Sequence, residues 1–354
     1  MVPIFEAEIT PVVKTKEIMK LAQIAEEAGV DRLGISDVIF YPDTFQLQAL
    51  CATVTRRMKI GTLVTNPYTR HPAVIAAAIS TLDEISDGRA FLGIGAGAGI
   101  AKLGVVRSAP APTIREAVHI IRELLAGRVA NYQRNNHHHH HHRQLSSNQT
   151  RLEFPSQHAV PILIGTRSPK IAKLAGEVAD IIVVGARYVS GEQWTNYLHW
   201  ISEGAAVAGR KIDSIEIAPR LTICCSKDGE LAKQSVKLYA AYYLALLKPP
   251  DLLIQDNKLQ KIVNAVRRVK GWYFSSKVQY PKEIDDLIDE EIIDKFAVDG
   301  NPDECISKIG NLLSKHRFRS LSLNVAAVRR EKIFDGMSET IQSIGDIIQG
   351  LKRT

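Results

Sequence analysis

Residues 59–94 read KIGTLVTNPYTRHPAVIAAAISTLDEISDGRAFLGI, and this stretch holds one complete structural repeat. Lys59–Val64 is a short, apolar, strand-like run. Pro72 opens a helix-like stretch that continues to Ser86, and proline suits the first helical position because the N–H it lacks has no intrahelical partner there. Asp87-Gly88 turns the chain into Arg89–Ile94, a second strand that ends among glycines. Two apolar strands joined by a helix predict a parallel βαβ unit.

The same alternation runs outward in both directions. Upstream lie strand Ile4–Ile9, a helix over Lys16–Ala28 with Ile18, Leu21, Ala22 and Ala25 on one stripe, strand Arg32–Ser36 and a helix over Thr44–Arg56. Downstream come a helix over Thr113–Ala126, strands Pro161–Gly165 and Asp180–Val184 around a helix Ser168–Val178, and a helix Glu192–Ala208. Strand Ser214–Cys225, helix Glu230–Leu247, helix Pro302–Lys315, strand Arg319–Val325 and helix Ile333–Leu351 complete the series. Eight β/α steps predict an α/β fold, a (β/α)8 TIM barrel in one domain spanning 1–354. Two segments break the pattern and read as inserts, 131–158 and a helical 248–300. A doubly wound sheet in two domains competes, but no Pro/Ser-rich linker divides the chain.

Composition narrows the function classes. The chain has 354 residues, 45% apolar and 23% charged, with a net charge of +7, which excludes disordered and fibrous classes. Its basic residues are scattered and lack interleaved aromatics, so no nucleic-acid partner is expected. The longest apolar runs are strand-sized, and Met1–Glu6 has no signal-peptide character, so no membrane partner and a cytoplasmic location are expected. Cys51, Cys224, Cys225 and Cys305 lack metal-ligand or C-x-x-C spacing and are expected as buried reduced thiols. Six of the eleven histidines form the run His137–His142, a tag or a natural tract that could take up a metal adventitiously. No other metal site is expected.

In a barrel the chemistry gathers at the C-terminal strand ends. Those ends carry Glu8, then Ser36-Asp37, then Thr65-Asn66-Pro67-Tyr68. Next are Gly93-Ile94-Gly95-Ala96-Gly97-Ala98-Gly99, Gly165-Thr166-Arg167-Ser168 and Gly185. Glu8 and Asp37 are either proton donors beside an apolar ligand or partners for Arg70 or Lys102. The glycine run either lets a flat or phosphorylated ligand approach the backbone or packs the rim; it is not a dinucleotide fingerprint. Thr65 and Asn66 suit a heterocycle edge, and Gly165-Thr166-Arg167 opens a helix that suits a phosphate. His71 reads as a helix-entry residue. Hydrolase triads, H-E-x-x-H and P-loops are missing from the sequence. Trp272-Tyr273-Phe274 reads as core, in a segment expected over the barrel mouth or at a subunit contact.

Val64–Pro72, Thr81–Arg89 and Leu92–Gly95 together resemble the bacterial-luciferase-like superfamily. So do Ile35-Ser36-Asp37, Thr113–Ala117 with Leu124–Gly127, Ala175–Asp180, Cys224-Cys225-Ser226 and Gly300–Glu304. Thr65–Tyr68 and Cys224-Cys225 are most similar to the deazaflavin-dependent methylenetetrahydromethanopterin reductases of archaea. That resemblance implies a TIM barrel in which a hydride passes between C5 of coenzyme F-420 and a one-carbon unit on a tetrahydromethanopterin-type pterin. It implies a non-prolyl cis peptide at Leu63–Val64, and Glu8 as the acid that protonates the pterin nitrogen. The cofactor-binding positions it implies are Asp37, Leu63, Val64, Thr65, Asn66, Gly95, Ala96, Gly97, Gly165, Thr166, Arg167 and Gly185. A homodimer or homotetramer is expected.

The chain departs from the pattern at Val38, where a His is usual, at Ala98 for an acid, at Gly185 for an Asn, and at Ser168-Pro169 for Gly-Pro. These changes thin the substrate side more than the cofactor side. The alternatives are an FMN-dependent luciferase-like monooxygenase, or a cofactor-binding paralogue with lost or altered catalysis.

Overall fold

Inward and outward side chains alternate along every strand, and this alternation organises the molecule. In Ile4–Ile9 the apolar Phe5, Ala7 and Ile9 face the surrounding helices, while Glu6 and Glu8 share the opposite face. The computed structural model describes residues 3–97, 99–131, 149–185, 191–248, 253–271, 273, 277–316 and 318–353. Its eight barrel strands are Ile4–Ile9, Arg32–Ile35, Lys59–Thr62, Ala90–Ile94, Ile162–Thr166, Ile181–Val184, Glu216–Cys225 and Ser320–Val325, called the first to the eighth below. They pair in parallel in that order, and the eighth closes on the first with Glu8 opposite Asn324. This is the (β/α)8 barrel.

The helices bury one stripe each against the barrel, as Ile18, Leu21, Ala22 and Ala25 do in Thr15–Glu27. Their ends carry the expected local chemistry. The His71 side chain accepts from the Ala73 N–H ahead of Pro72, so this histidine is a cap. Asp87 and Gly88 then turn the chain in left-handed conformations. Arg89 donates to the carbonyls of Ala52, Thr55, Met58 and Ser86, tying three elements together. Asp83, almost fully buried, accepts from the Gln157 and His158 N–H groups and anchors the return from the first insert. These motif residues serve the fold.

Several boundaries differ from the sequence reading. The third strand ends at Thr62 rather than Val64, because the Leu63–Val64 peptide is cis and interrupts the ladder. The helix before the first insert starts at Pro110 rather than Thr113. The arms of that insert begin and end in a short antiparallel pair, Ala130–Asn131 with Gln149–Thr150, and His137–His142 lie outside the described residues.

The larger difference is in 248–300. It holds helices Asp256–Val266, Glu283–Leu287 and Glu290–Phe296, and also a strand, Ala297–Gly300, that the sequence reading missed. This strand pairs in parallel with residues 222–225 of the seventh strand, above the point where residues 216–219 leave the sixth. The seventh strand, of 10 residues against 4 in the sixth and 6 in the eighth, thus serves two partners in succession along one edge. Helix Gly229–Leu247 and the insert form a second core around Tyr239, Leu244, Ile262, Tyr273, Ile292 and Phe296. Cys224, Ala326 and Val328 belong to that core, so it covers the rim at the seventh and eighth strands. Tyr273 is core; Trp272 and Phe274 lie outside the described residues. All four cysteines are buried thiols. Among the described residues no helix is long and apolar enough to cross a membrane.

Candidate active site at the barrel mouth

The barrel lumen is divided lengthwise. Leu63, Phe91, Leu163, Ile181, Val183 and Ala218, from the third to the seventh strands, form one apolar cluster, and the half-buried Val64 caps it at the mouth. The remaining lumen, lined by the seventh, eighth, first and second strands, holds Glu6, Glu8, Arg32, Arg220, Ser320, Ser322 and Asn324.

Val64 reaches the mouth because the cis bond turns the chain at the end of the third strand, after which Thr65 rejoins the ladder. The Thr65 N–H donates to the Gly93 carbonyl at 2.9 Å, and the Gly95 N–H to that of Thr65 at 2.8 Å. Glycines make room for this bulge. A Cβ on Gly95 would stand 2.8 Å from Val64 Cγ2, and one on Gly165 3.0 Å from Val64 Cγ1. A Cβ on Gly34 would stand 2.5 Å from Leu63 Cβ. Of the two readings of the glycine run, packing of the rim therefore accounts for Gly93 and Gly95, and Gly165, outside the run, packs against Val64 in the same way. Gly97 lies in the left-handed region against the Asn66 side chain. Ala96 is half-buried beside it, and Ala98 lies outside the described residues.

Glu8 is 2% exposed, in register with Gly34, so no second-strand side chain separates it from Leu63. The Ser36 hydroxyl donates to its Oε1 at 2.8 Å, and Arg220 Nε to its Oε2 at 2.5 Å, with a second Arg220 contact to Oε1. For Glu8 the expected partners Arg70 and Lys102 are thus corrected to Arg220; Arg70 pairs with Asp43, the cap of helix Thr44–Val54, lies over the Phe45 ring, and acts on Asp37 through its charge. Arg220 reaches Glu8 because it stands opposite Ser322, whose small side chain lets the guanidinium cross the eighth strand. Beside Glu8, its register partner Asn324 donates through Nδ2 to Thr222 Oγ1, and Thr222 bonds the Tyr239 hydroxyl, which closes the polar half under the second core.

Asp37 accepts from Thr65 Oγ1 at 2.6 Å. Burial pushes its carboxyl above the ordinary range, against the opposing pull of the Thr65 hydrogen bond and Arg70. Asn66 Oδ1 accepts from the Tyr68 and Thr69 N–H groups and the Thr69 hydroxyl, which fixes the orientation of its buried amide. Thr166 Oγ1 accepts from the Ser168 N–H at the entrance to helix Pro169–Val178, and Arg167 is exposed there. Gly185 has φ +94°, a conformation that favours glycine, and its N–H donates to the Thr166 carbonyl; residues 186–190 lie outside the described residues.

Arg220, Arg32 and Glu216 escaped the sequence reading. Their signal is period-two placement of charge or hydroxyl in otherwise apolar strands, as in Phe5-Glu6-Ala7-Glu8-Ile9 and Ser320-Leu321-Ser322-Leu323-Asn324.

The luciferase-like monooxygenase family profile matches residues 4–315. A 5,10-methylenetetrahydromethanopterin reductase of Archaeoglobus fulgidus is 31% identical over 310 residues, covering 87% of this chain and 89% of the relative. An F-420-dependent glucose-6-phosphate dehydrogenase of Tsukamurella paurometabola is 25% identical over 314 residues, covering 83% of this chain and 83% of the relative. The solved coenzyme F-420-dependent tetrahydromethanopterin reductase of Methanopyrus kandleri superposes with a TM-score of 0.78 at 25% identity, covering 98% of both chains.

Proposed function

The chain belongs to the luciferase-like monooxygenase family, and from that premise we propose that it is a coenzyme F-420-dependent oxidoreductase of the methylenetetrahydromethanopterin reductase type. It transfers a hydride between reduced F-420 and a one-carbon unit on a tetrahydromethanopterin-type pterin. One observation carries this reading: an apolar shelf, Val64 on the Leu63–Val64 cis bulge, stands at the mouth beside a buried carboxylate, Glu8. A flat heterocycle and a proton donor need that juxtaposition.

The residues present fit a deazaflavin. Val64 and Leu63 meet its face, and Gly95, Ala96 and Gly97 keep the adjoining rim low. Asp37, Thr65 and the Asn66 amide address its polar edge. Arg167 and Thr166, at the entrance to helix Pro169–Val178, suit the phosphodiester of its side chain, with Gly185 alongside. When bound, the cofactor supplies the hydride from C5. Glu8, whose carboxyl Ser36 and Arg220 orient, is the group that would pass a proton to the pterin nitrogen as the methylene bridge opens. The lumen below is packed, so water reaches the reacting atoms only from the mouth or along the polar half.

The enzyme works in the cytoplasm as a homodimer or homotetramer. Support for the assembly comes from Leu50, Val74 and Ile85, exposed on neighbouring helices. Titrating the purified protein with F-420 and separately with FMN tests the cofactor, and turnover of methylenetetrahydromethanopterin tests the substrate. F-420 binding and pterin reduction are expected. Tight FMN binding without F-420 binding would overturn the reading, and F-420 binding with turnover only of an alcohol or sugar phosphate would reassign the substrate.

A further inference from the structure

Glu8 lies at the mouth, yet a ligand there does not meet it, because its carboxylate is covered. The residue is buried and both of its oxygens are engaged. Ser36 donates to Oε1, Arg220 Nε donates to Oε2, and Arg220 Nη2 closes the fork on Oε1. All three contacts are donations to a carboxylate, and the two from Arg220 form a bidentate ion pair.

The cover has one removable part. Ser36 is buried, and its N–H is tied to the Ile9 carbonyl at 3.0 Å. Asn324, in register with Glu8, is buried as well. The Arg220 side chain is 20% exposed. Glu6 and Arg32, in the layer beneath, are shut off from solvent, so Arg220 meets solvent on the mouth side.

Arg220 comes to Glu8 from below. Its Cα is in register with Ser322, two residues or about 7 Å beneath Asn324 along the eighth strand. Such a long side chain leaves its partner by rotation about its own bonds, with the strand in place. Downward there is no place for its charge. Glu6 already accepts from Arg32 Nε at 3.0 Å and is hydrogen-bonded by Ser322, and Arg32 also reaches Glu216 at 2.6 Å. Upward lies the mouth.

We propose that Arg220 is a removable cover on Glu8: the arriving substrate offers the guanidinium a ring carbonyl oxygen, draws it toward the mouth and so bares Glu8 to the reacting nitrogen. The proposal deepens the reading of Glu8 as the acid and rests on it. Specificity follows from the cost of breaking a buried ion pair. A heterocycle with an oxygen acceptor on the edge that faces the polar half opens the pair; one without it leaves Glu8 closed. Once bared, the Glu8 carboxylate takes one proton from water at the mouth and gives it to the substrate nitrogen as the methylene bridge opens. The carbon gains a hydride and the nitrogen a proton. Reduced F-420 loses the same two, so the proton drawn at the mouth is returned there. Arg220 is thus a positioning residue that acts through Glu8.

Two measurements test the cover. In the full-length chain without cofactor, a water-soluble carbodiimide with glycine ethyl ester marks accessible carboxyls, read by peptide mass spectrometry. Glu8 should stay unmodified in wild type and become modified in Arg220→Met. In the F-420-loaded enzyme, Arg220→Lys keeps the charge but loses the fork. It should raise KM for methylenetetrahydromethanopterin by about 10-fold or more and lower the saturated rate of hydride transfer by less than that.

Glu8 modified equally in wild type, or still protected in Arg220→Met, would overturn the cover. So would an unchanged KM with a slowed saturated rate in Arg220→Lys, which would make Arg220 a fixed support of the carboxyl. If Arg220→Met does not fold, Arg220→Lys decides by the split between KM and rate. Wild-type hydride transfer in Glu8→Gln would instead remove the acid, and the labelling, which needs no turnover, keeps that failure separate from failure of the cover.

Discussion

The two halves of the lumen do different work with the same backbone. On the side of the third to sixth strands, Phe91, Leu163, Ile181 and Val183 fill the barrel as a small hydrophobic core and end in the Val64 shelf. On the other side, Glu6, Arg32, Glu216, Arg220 and Glu8 fill the same kind of space with paired charge. An apolar filling is stable by itself and offers a ligand only a surface. A paired-charge filling gains little net stability, because desolvation offsets attraction, but it places a carboxyl where a proton is needed. The division teaches where the ligand's face ends and its chemistry begins.

Breaking the polar half should cost most. Arg32→Met leaves Glu6 and Glu216 buried without their cation, and about 3–5 kcal/mol of stability should be lost in urea unfolding. Adding Glu6→Leu and Glu216→Leu should recover much of it, which would show that the charges are not there for stability. In the apolar half Leu163→Ala should cost about 2–4 kcal/mol, from lost burial and the cavity left behind.

The boundary between the halves is more delicate. Gly95→Ala puts a methyl group 2.8 Å from Val64 Cγ2, and about 1–3 kcal/mol of strain should push the shelf into the mouth. Its F-420 affinity should fall more than its stability does, read by fluorescence titration against thermal unfolding.

The smallest effect is on pH dependence. Because the folded-state Glu6 carboxyl titrates above its unfolded value of 4.5, wild type binds that proton more tightly when folded. Its contribution is complete below pH 4.5 and is lost as pH rises through the folded value. Glu6→Gln lacks this loss, so unfolding free energies compared below pH 4.5 and near pH 7 should move in favour of the variant as pH rises.

The barrel was legible because apolar periodicity changes from two to about 3.6 at each strand–helix step, and local pattern suffices to see it. Val64, Thr65 and the cis bond were reached through the resemblance carried by Thr65–Tyr68, since no periodicity marks a cis peptide. Ala297–Gly300 was missed because four residues after a helix carry no strand pattern of their own; they pair only because the seventh strand outruns the sixth. Arg220 was missed for a different reason. Its partner Glu8 lies 212 residues away, and only barrel closure at the eighth strand brings them together. The glycines look like a ligand cradle in one dimension, and only the third shows that Val64 occupies the space.

The central claim is that the apolar half holds the cofactor while Glu8, in the polar half, handles the proton. Its most direct test measures F-420 affinity by fluorescence and hydride transfer by single-turnover absorbance in Glu8→Gln. The account predicts an affinity within about 2-fold of wild type and a transfer rate lower by about 100-fold or more. Hydride transfer at the wild-type rate, or loss of F-420 binding, would contradict it.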